Sequence, residues 1–248
     1  KIDADGGTPW CIGLESGDAS GWPGTDWIED ILLRTAGPAA YRQWISNELP
    51  FKSPQVLQAF NEFGRILLNP KYVSGTATKA ISTPYGESSL GIFNTPPDCY
   101  MHRQASFISS FFPEDKLPRV DYDVFLLPGI DEKFGTPLLV AGDAIGMFHN
   151  TPETQAFMQY IATPVPHKIR AGLGVFISPQ QQVPLEAYPD LVSQNIAQIL
   201  SDAEVIRFDG SDLMPGYVGS DAFWDGIMAF AEGKPAEEIT VEIDRNWP

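Results

Sequence analysis

Cysteines, histidines and basic residues are scarce in this sequence. Its 248 residues include two cysteines and three histidines, and 16 lysines and arginines stand against 32 acidic residues. The formal net charge of -16 disfavours nucleic acids and anionic membrane surfaces as partners, because each phosphate contact needs a cationic side chain. Neutral and cationic solutes remain as ligand classes.

Long apolar runs and the common catalytic motifs are also absent. No run reaches the ~18 residues that a membrane-spanning helix needs. The sequence has no G-x-S-x-G, H-E-x-x-H, P-loop or G-x-G-x-x-G, and the initial D-A-D-G lacks the later Glu of a calcium loop. His102, His149 and His167 occur in unrelated contexts, which predicts no shared metal or catalytic site. A glycosidase pair of carboxylates stays open, because acids are abundant and no pair stands out.

Alternation of apolar runs and helical periodicity predicts an α/β fold. Helices are predicted at 25–33, capped by Thr25, at 39–45, from 54, from 152 until Pro164 and Pro166, at 190–200, and after Ser220. Strands are predicted at 10–14, 90–93, 106–112, 121–127 and 138–148. The run at 121–127, D-Y-D-V-F-L-L, is predicted to be buried.

The stretch from Asp209 onward carries the most distinctive pattern. Phe223, Ile227 and Phe230 recur at helical spacing, whereas Trp224 lies about 100° round from that stripe. The preceding L-M-P-G is a rigid approach that would present the helix start and Trp224 together at a surface or cleft. The alternative is an indole buried in the core, where large aromatic residues commonly pack.

This C-terminal pattern resembles that of extracellular solute-binding proteins of the maltose-binding-protein-like class, which serve ABC sugar importers. The matching features are L-M-P, then S-D-A-F-W, a helix, a G-K-P break and a last helix. T-P-W-C-I-G-L-E-S-G and R-F-D-G-S-D-L-M-P are most similar to the α-glucoside-binding branch. The resemblance covers the whole chain and implies that it is the C-terminal part of a longer protein.

The resemblance implies a bilobal, periplasmic-binding-protein-like (type II) α/β architecture. Residues 1–140 and 183–248 would form a nearly complete C-terminal lobe, and 141–182 would supply a crossover strand, a helix and a return loop to the N-terminal lobe. A sugar of the α-glucoside kind would bind between the lobes, and ABC permease subunits would be the membrane partner. The implied protein has no catalytic activity and no cofactor. It is exported to the periplasm or cell exterior, with a lipid anchor as one option at the missing N-terminus.

Sugar recognition needs flat apolar rings and planar polar side chains, and the resemblance assigns both to particular residues. Trp224, Trp22 and Phe107 are the expected stacking residues. Asp143, Gln104, Arg207, Asp209 and Asp212 are the expected hydrogen-bonding residues, and Gly172 and Gly174 would offer backbone amides. Alternatives stay open: Asp143 as a turn cap, Trp22 packed on its own lobe, and an ion pair of Arg207 with Asp209 or Asp212.

The two cysteines, Cys11 and Cys99, are spaced unlike zinc ligands. In an exported protein they are expected to form a disulfide, and two inert buried thiols are the alternative. The function that the sequence predicts is capture of a carbohydrate for an ABC importer. A carbohydrate-active enzyme and a sensory sugar-binding module are the alternatives.

Overall fold

The computed structural model describes residues 1–174 and 176–248, and the chain divides into two compact units. Unit 1 consists of Lys1–Gln104, Leu127–Val140 and Val205–Pro248, and unit 2 of Ala105–Leu126 and Ala141–Glu204. The expected lobe boundary after 140 coincides with a unit boundary. The predicted C-terminal lobe includes residues 105–126 and 183–204, whereas the structure groups them in unit 2. The lobe assignment therefore stays a prediction.

Helices make up most of the regular structure. In chain order they are α1 Trp22–Thr35, α2 Gly37–Ile45, α3 Pro54–Leu67, α4 Thr76–Ser82, α5 Pro152–Ile161, α6 Pro164–Ala171, α7 Leu191–Asp202, α8 Phe223–Ala231 and α9 Ala236–Asp244. A π-helical turn, Tyr217–Ala222, leads directly into α8. None of the helices in the described ranges is both long and apolar enough to cross a membrane.

Two short parallel strand pairs occur in unit 1. Strand β1, Trp10–Cys11, pairs with β2, Met101–His102, and β3, Leu138–Val140, pairs with β4, Ile206–Phe208. Parallel strands need long crossover connections, and here each pair joins segments that are distant in sequence. Both pairs therefore tie together separate pieces of the unit.

The core of unit 1 is built around aromatic side chains from its first and last segments. The ring of Phe223 on α8 lies edge-on to those of Trp44 and Phe51, with centroids 5.8 and 5.1 Å apart. Phe60 and Phe230 are also edge-on, 5.4 Å apart. Such contacts add to the stabilisation from apolar burial. The predicted stripe on the C-terminal helix is therefore confirmed as part of the core.

Unit 2 has a much smaller core, in which Ala171, Tyr188 and Ala197 are the buried members. Its α5 is capped by Thr151 in a capping box, and Asp190 accepts the N–H groups of Val192 and Ser193 at the start of α7. Both helices were predicted. Many apolar side chains of this unit remain exposed, including Phe148 at 94% and Phe125 at 63%.

Three strand predictions are wrong and two are too long, one of them at 10–14, where the strand ends at Cys11. Leu90–Phe93 and Ser106–Phe111 are 3-10 helices, and the 121–127 segment is irregular and half-exposed instead of being a buried strand. The strand predicted at 138–148 ends at Val140. An apolar run becomes a strand only where a neighbouring strand meets its backbone groups, and periodicity does not reveal that neighbour.

Helix boundaries near glycine and proline were also mispredicted. Helix α1 begins at Trp22 rather than after Thr25, with Pro23 in its first turn. Helix α5 ends at Ile161, before Pro164 as predicted, but Pro164 also begins α6, which was not predicted. Proline fits a first helical turn because its missing N–H has no intrahelical partner there. Ser220 is no cap, because the backbone is already helical from Tyr217.

A disulfide joins Cys11, in β1, to Cys99, just before β2, and both residues are buried. Their Cα atoms lie 5.4 Å apart, and the bond closes a separation of 88 residues. In the chain-entropy account, a loop of this size stabilises the folded state by roughly 4–5 kcal/mol. The bond thus reinforces the β1–β2 pairing.

We expect the double variant Cys11→Ala/Cys99→Ala to unfold about 10 °C below the wild type, because the unfolded chain regains the entropy of the open loop. Thermal unfolding followed by circular dichroism measures the shift. Wild-type protein treated with a reductant while unfolded is the control and should melt with the variant. An unchanged melting temperature in both samples would contradict the stabilising role.

Candidate ligand-binding site

Trp22 and Trp224 belong to two stretches that touch in unit 1. Gly21, with φ of +107°, ends the loop before α1, and a Cβ there would clash with the backbone oxygen of Trp224. The Gly21 N–H also donates to the Leu14 carbonyl oxygen over 2.8 Å. Glycine suits this position because it tolerates positive φ and allows another backbone to approach closely.

Trp22 and Trp224 are both half-buried, so they are neither sealed in the core nor fully exposed. The Trp22 ring lies edge-on to Tyr85, with centroids 5.3 Å apart. Trp224 lies off the buried stripe of α8, as its angular position predicts. Trp22 is the first residue of α1, three residues before the predicted start of that helix. A stacking role for either ring remains a prediction.

The loop after β4 is fixed by its own acidic residue. Asp209 is buried, and one carboxylate oxygen accepts bonds from the Ser211 hydroxyl at 2.8 Å and the Asp212 N–H at 3.3 Å. Its N–H donates to the Val140 carbonyl oxygen over 2.8 Å. Asp212 is exposed, and its pKa is raised by partial burial and by the charge of Asp209. Of these two carboxylates, that of Asp212 faces solvent.

Glu29 on α1 holds the same loop from beneath. Its carboxylate accepts the N–H groups of Gly210 and Ser211 at 2.6 and 3.1 Å, and the Tyr41 hydroxyl donates to it as well. Burial, with the nearby charges of Asp209 and Asp26, raises the pKa of Glu29 well above its usual value. These bonds set the position at which the L-M-P-G segment begins.

Arg207 and Gln104 both carry buried polar atoms without hydrogen-bond partners in the described chain. The Nη1 of Arg207 donates to the Ile206 carbonyl oxygen at 2.7 Å, but its Nε has no partner among the described residues. The ion pairs seen between described residues do not include Arg207. Both amide atoms of Gln104 lack partners within the same ranges. Buried groups of this kind normally bind water or a ligand.

The remaining expected site residues lie in unit 2. Phe107 is in the 3-10 helix and lies edge-on to Phe111, with centroids 6.4 Å apart. Asp143 is exposed in the irregular run that follows β3, and Gly172 is exposed directly after α6. The structure therefore brings together the backbone stretches that carry Trp22 and Trp224, and it bonds Asp209 to the Asp212 N–H. The other assignments stay predictions.

Unit 2 also contains a cavity of about 190 Å³. Its polar lining comes from Ser106, Ser109, Tyr122, Asp190 and Ser193, and its apolar lining includes Leu173 and Ile177. The Asp190 carboxylate already accepts hydrogen bonds at the start of α7. The pKa of Tyr122 is raised by its partial burial and by the charge of Asp190. The cavity therefore offers hydroxyl groups rather than a free charge.

Helix α1 also carries a buried ionic network that the sequence pattern does not reveal. Arg103 donates to Asp26 at 2.8 Å and twice to Asp30, at 2.8 and 3.1 Å, and Asp30 also pairs with Arg34. All of these α1 side chains are buried. Asp26, Asp30 and Arg34 are spaced four residues apart, which places them on one helix face. This spacing could have indicated the network, but charged residues at the same spacing are also typical of a solvent-exposed face.

Asp26 is the network member that titrates near neutral pH. Burial raises the pKa of Asp26 to about 7, against the opposing charge of Arg103. For Arg103 burial acts in the other direction, but the carboxylates of Asp30 and Asp26 outweigh it and raise its pKa. Among the described side chains, no group of three His, Cys, Asp or Glu residues is placed to hold a metal ion.

We expect the wild type to gain stability relative to Asp26→Asn as the pH falls. A carboxyl with a raised folded-state pKa binds its proton more tightly in the folded state, so its contribution grows from about pH 7 down to 3.8. Between pH 8 and 6 the difference should reach about 1.4 kcal/mol. Urea unfolding at several pH values measures this difference in stability.

His102, whose pKa is lowered by burial, makes the protein less stable as the pH falls, but it does so equally in the wild type and in the variant. Parallel curves would contradict the assignment.

Two characterised proteins are similar to almost all of this chain, although no family model matches it. The osmoprotective compounds-binding protein GgtB of Synechocystis sp. is 48% identical over 243 residues, which are 98% of this chain and 58% of GgtB. The alpha-glucosides-binding periplasmic protein AglE of Rhizobium meliloti is 41% identical over 249 aligned residues, covering 100% of this chain and 54% of AglE. The chain thus spans little more than half the length of these relatives.

Two solved structures share the fold. A chitin oligosaccharide binding protein superposes with a TM-score of 0.74 at 18% identity, covering 98% of this chain and 60% of that protein. The bacterial solute receptor AcbH, described as having an exclusive preference for b-D-galactopyranose, gives 0.73 at 16% identity, covering 98% and 61%. The expected α/β, periplasmic-binding-protein-like fold is therefore confirmed. We conclude that almost the whole chain is similar to part of GgtB and part of AglE.

Proposed function

We propose that this chain is part of the solute-binding subunit of an ABC importer, and that it captures an α-glucoside or a related neutral polyhydroxy compound. The observation that carries the proposal is its identity of 48% to GgtB and 41% to AglE over essentially its whole length. Those two proteins are described as binding osmoprotective compounds and alpha-glucosides. The net charge of -16 is compatible with such neutral ligands.

The local geometry in unit 1 supports this ligand class. A sugar ring presents C–H groups to a flat aromatic face and hydroxyl groups to planar polar side chains. Trp22 and Trp224 are half-buried on adjoining stretches, and Gln104 and Arg207 have buried nitrogen or oxygen atoms without partners in the described chain. We therefore propose these four residues, with Asp212 and with Asp143, Phe107 and Gly172 of unit 2, as ligand contacts.

Capture without conversion is the activity we propose. Both curated relatives are binding proteins, and a ligand that binds one conformation more tightly shifts the protein toward that conformation. We assign residues 1–140 and 183–248 to one lobe and 141–182 to the other, with the sugar held between the lobes and a membrane permease as the docking partner. We also place the protein outside the cytoplasm, because AglE is described as periplasmic and a disulfide persists in oxidising compartments.

A ligand screen on the full-length protein tests the proposal. Thermal unfolding is measured with maltose, sucrose, trehalose, polyols, amino acids and short peptides, and the incubated sugars are then analysed for products. We expect stabilisation by at least one glucoside and no product. Stabilisation by an amino acid or peptide alone would overturn the ligand class, and sugar turnover would favour the carbohydrate-active enzyme instead.

We expect Trp224→Ala to weaken sugar binding by about 10- to 100-fold, since an aromatic ring against a ligand commonly contributes a large share of affinity. Isothermal titration calorimetry on the full-length protein measures the loss. The matched control is Tyr100→Ala, which removes an exposed aromatic ring elsewhere in unit 1 and should leave affinity unchanged. Equal affinities of Trp224→Ala and the wild type would remove the indole from the site.

We expect Gly21→Ala to destabilise the protein by about 3 kcal/mol more than Gly17→Ala. Both glycines have positive φ, at +107° and +59°, but a Cβ at Gly17 meets nothing within 4 Å, whereas at Gly21 it meets the Trp224 backbone. Urea unfolding of the two variants measures the difference, which combines the clash with the larger backbone strain of an alanine at +107°. Similar stabilities would show that the two stretches do not approach as closely as described.

A further inference from the structure

The chain passes between the two units four times, and in unit 1 these passages are bonded to α1 either directly or through β4 and the loop after it. The passages follow Gln104, precede Leu127, follow Val140 and precede Val205. A segment that connects two compact units transmits whatever motion occurs between them. The transmission of such motion therefore depends on how firmly the end of each connecting segment is fixed in its unit.

The first passage is fixed through Arg103, the residue just before Gln104. Its guanidinium is buried between Asp26 and Asp30 of α1, with bonds of 2.8 Å to each carboxylate and a further bond of 3.1 Å to Asp30. A planar guanidinium that bridges two carboxylates has a defined orientation, unlike a single flexible ammonium. The backbone at Gln104 is thereby held one residue from a rigid anchor.

The second passage is fixed through Arg34, which is also buried. Its Nε donates to the Pro128 carbonyl oxygen at 3.1 Å, and its Nη2 donates to the Leu127 carbonyl oxygen at 3.1 Å. Its Nη1 is paired with Asp30, which also binds Arg103. One carboxylate therefore links the anchors of the first and second passages.

The third and fourth passages are paired with each other in β3 and β4. The Leu138 N–H donates to the Val205 carbonyl oxygen, and the Asp209 N–H donates to that of Val140, both over 2.8 Å. The far end of β4 is bound to α1 through Glu29, which accepts the Gly210 N–H at 2.6 Å. Tyr41 connects the two, because its hydroxyl donates to Glu29 and contacts the Phe208 carbonyl oxygen at 3.1 Å.

We propose that the charged face of α1, formed by Asp26, Glu29, Asp30 and Arg34, is a common anchor for all four inter-unit passages, with Arg103 and Arg34 as positioning residues. All four passages therefore depend on one helix, although each is fixed by its own set of bonds. This explains why four ionisable side chains are buried on one helix at all, since burial of unpaired charges is costly and apolar residues would pack there at lower cost. Ion pairs and hydrogen bonds fix the orientation of the segment that they bind, whereas apolar contacts are not directional.

Hydrogen exchange on the chain described here, without any sugar, tests the proposal independently of the proposed function. Arg103→Gln should speed exchange at Tyr100 and Met101, and Arg34→Gln at Asp131, whose amide donates to the Arg34 carbonyl oxygen. We expect about a 10-fold increase at the matching passage and less than about twofold in α3, because one charge-assisted bond set is lost locally. Arg65→Gln is the control, since Arg65 forms an exposed pair with Glu62 on α3.

The lysine variants keep the test decisive if a glutamine variant does not fold. Arg103→Lys and Arg34→Lys keep the charge but lose the forked geometry, so each should speed exchange by about threefold at its own passage alone. Faster exchange throughout unit 1, including α3, would reduce these residues to general stabilisers and overturn the proposal. Unchanged exchange at the matching passage in the lysine variants would overturn it as well.

Discussion

The burial of carboxylates on α1 is the constraint on which the rest of unit 1 depends. Asp26, Glu29 and Asp30 lie where water cannot solvate them, so each must be protonated or bonded. Their partners come from distant parts of the chain: Arg103 from the β2 region and the Gly210 and Ser211 amides from the loop after β4. Satisfying one helix therefore fixes the path of two remote segments, including the one that leads to Trp224.

Close backbone approach is the second device that shapes the candidate site. Gly21 lets the start of α1 contact the backbone of α8, so that Trp22 and Trp224 emerge from adjoining stretches although 202 positions separate them in the sequence. The aromatic core beneath α8 keeps Phe223 fully buried while the next residue is only half-buried. Presentation of an indole at this surface thus rests on the tight packing of its immediate neighbour.

The sequence predicted the helices better than the strands, for a physical reason. Helical periodicity in α3, α7 and α8 is local, and the buried side chains of Phe60, Phe223 and Ile227 follow it. Strand formation at 121–127 depended on a partner that periodicity cannot reveal. The family resemblance identified Trp224 through a contiguous motif, whereas Arg103 and its acidic partners went unnoticed. Their pairing over more than 70 residues leaves no local trace, and acids at helical spacing usually face solvent.

The order of segments in unit 1 has a consequence for its folding. Trp44, Phe51 and Phe60 occur in the first third of the chain, but Phe223 and Phe230, which fill the space between them, belong to its final segment. During synthesis, the early aromatic side chains therefore remain without these packing partners until the segment that carries Phe223 and Phe230 has been made. Throughout that interval these rings expose apolar surface, which is the kind of surface through which incompletely folded chains aggregate.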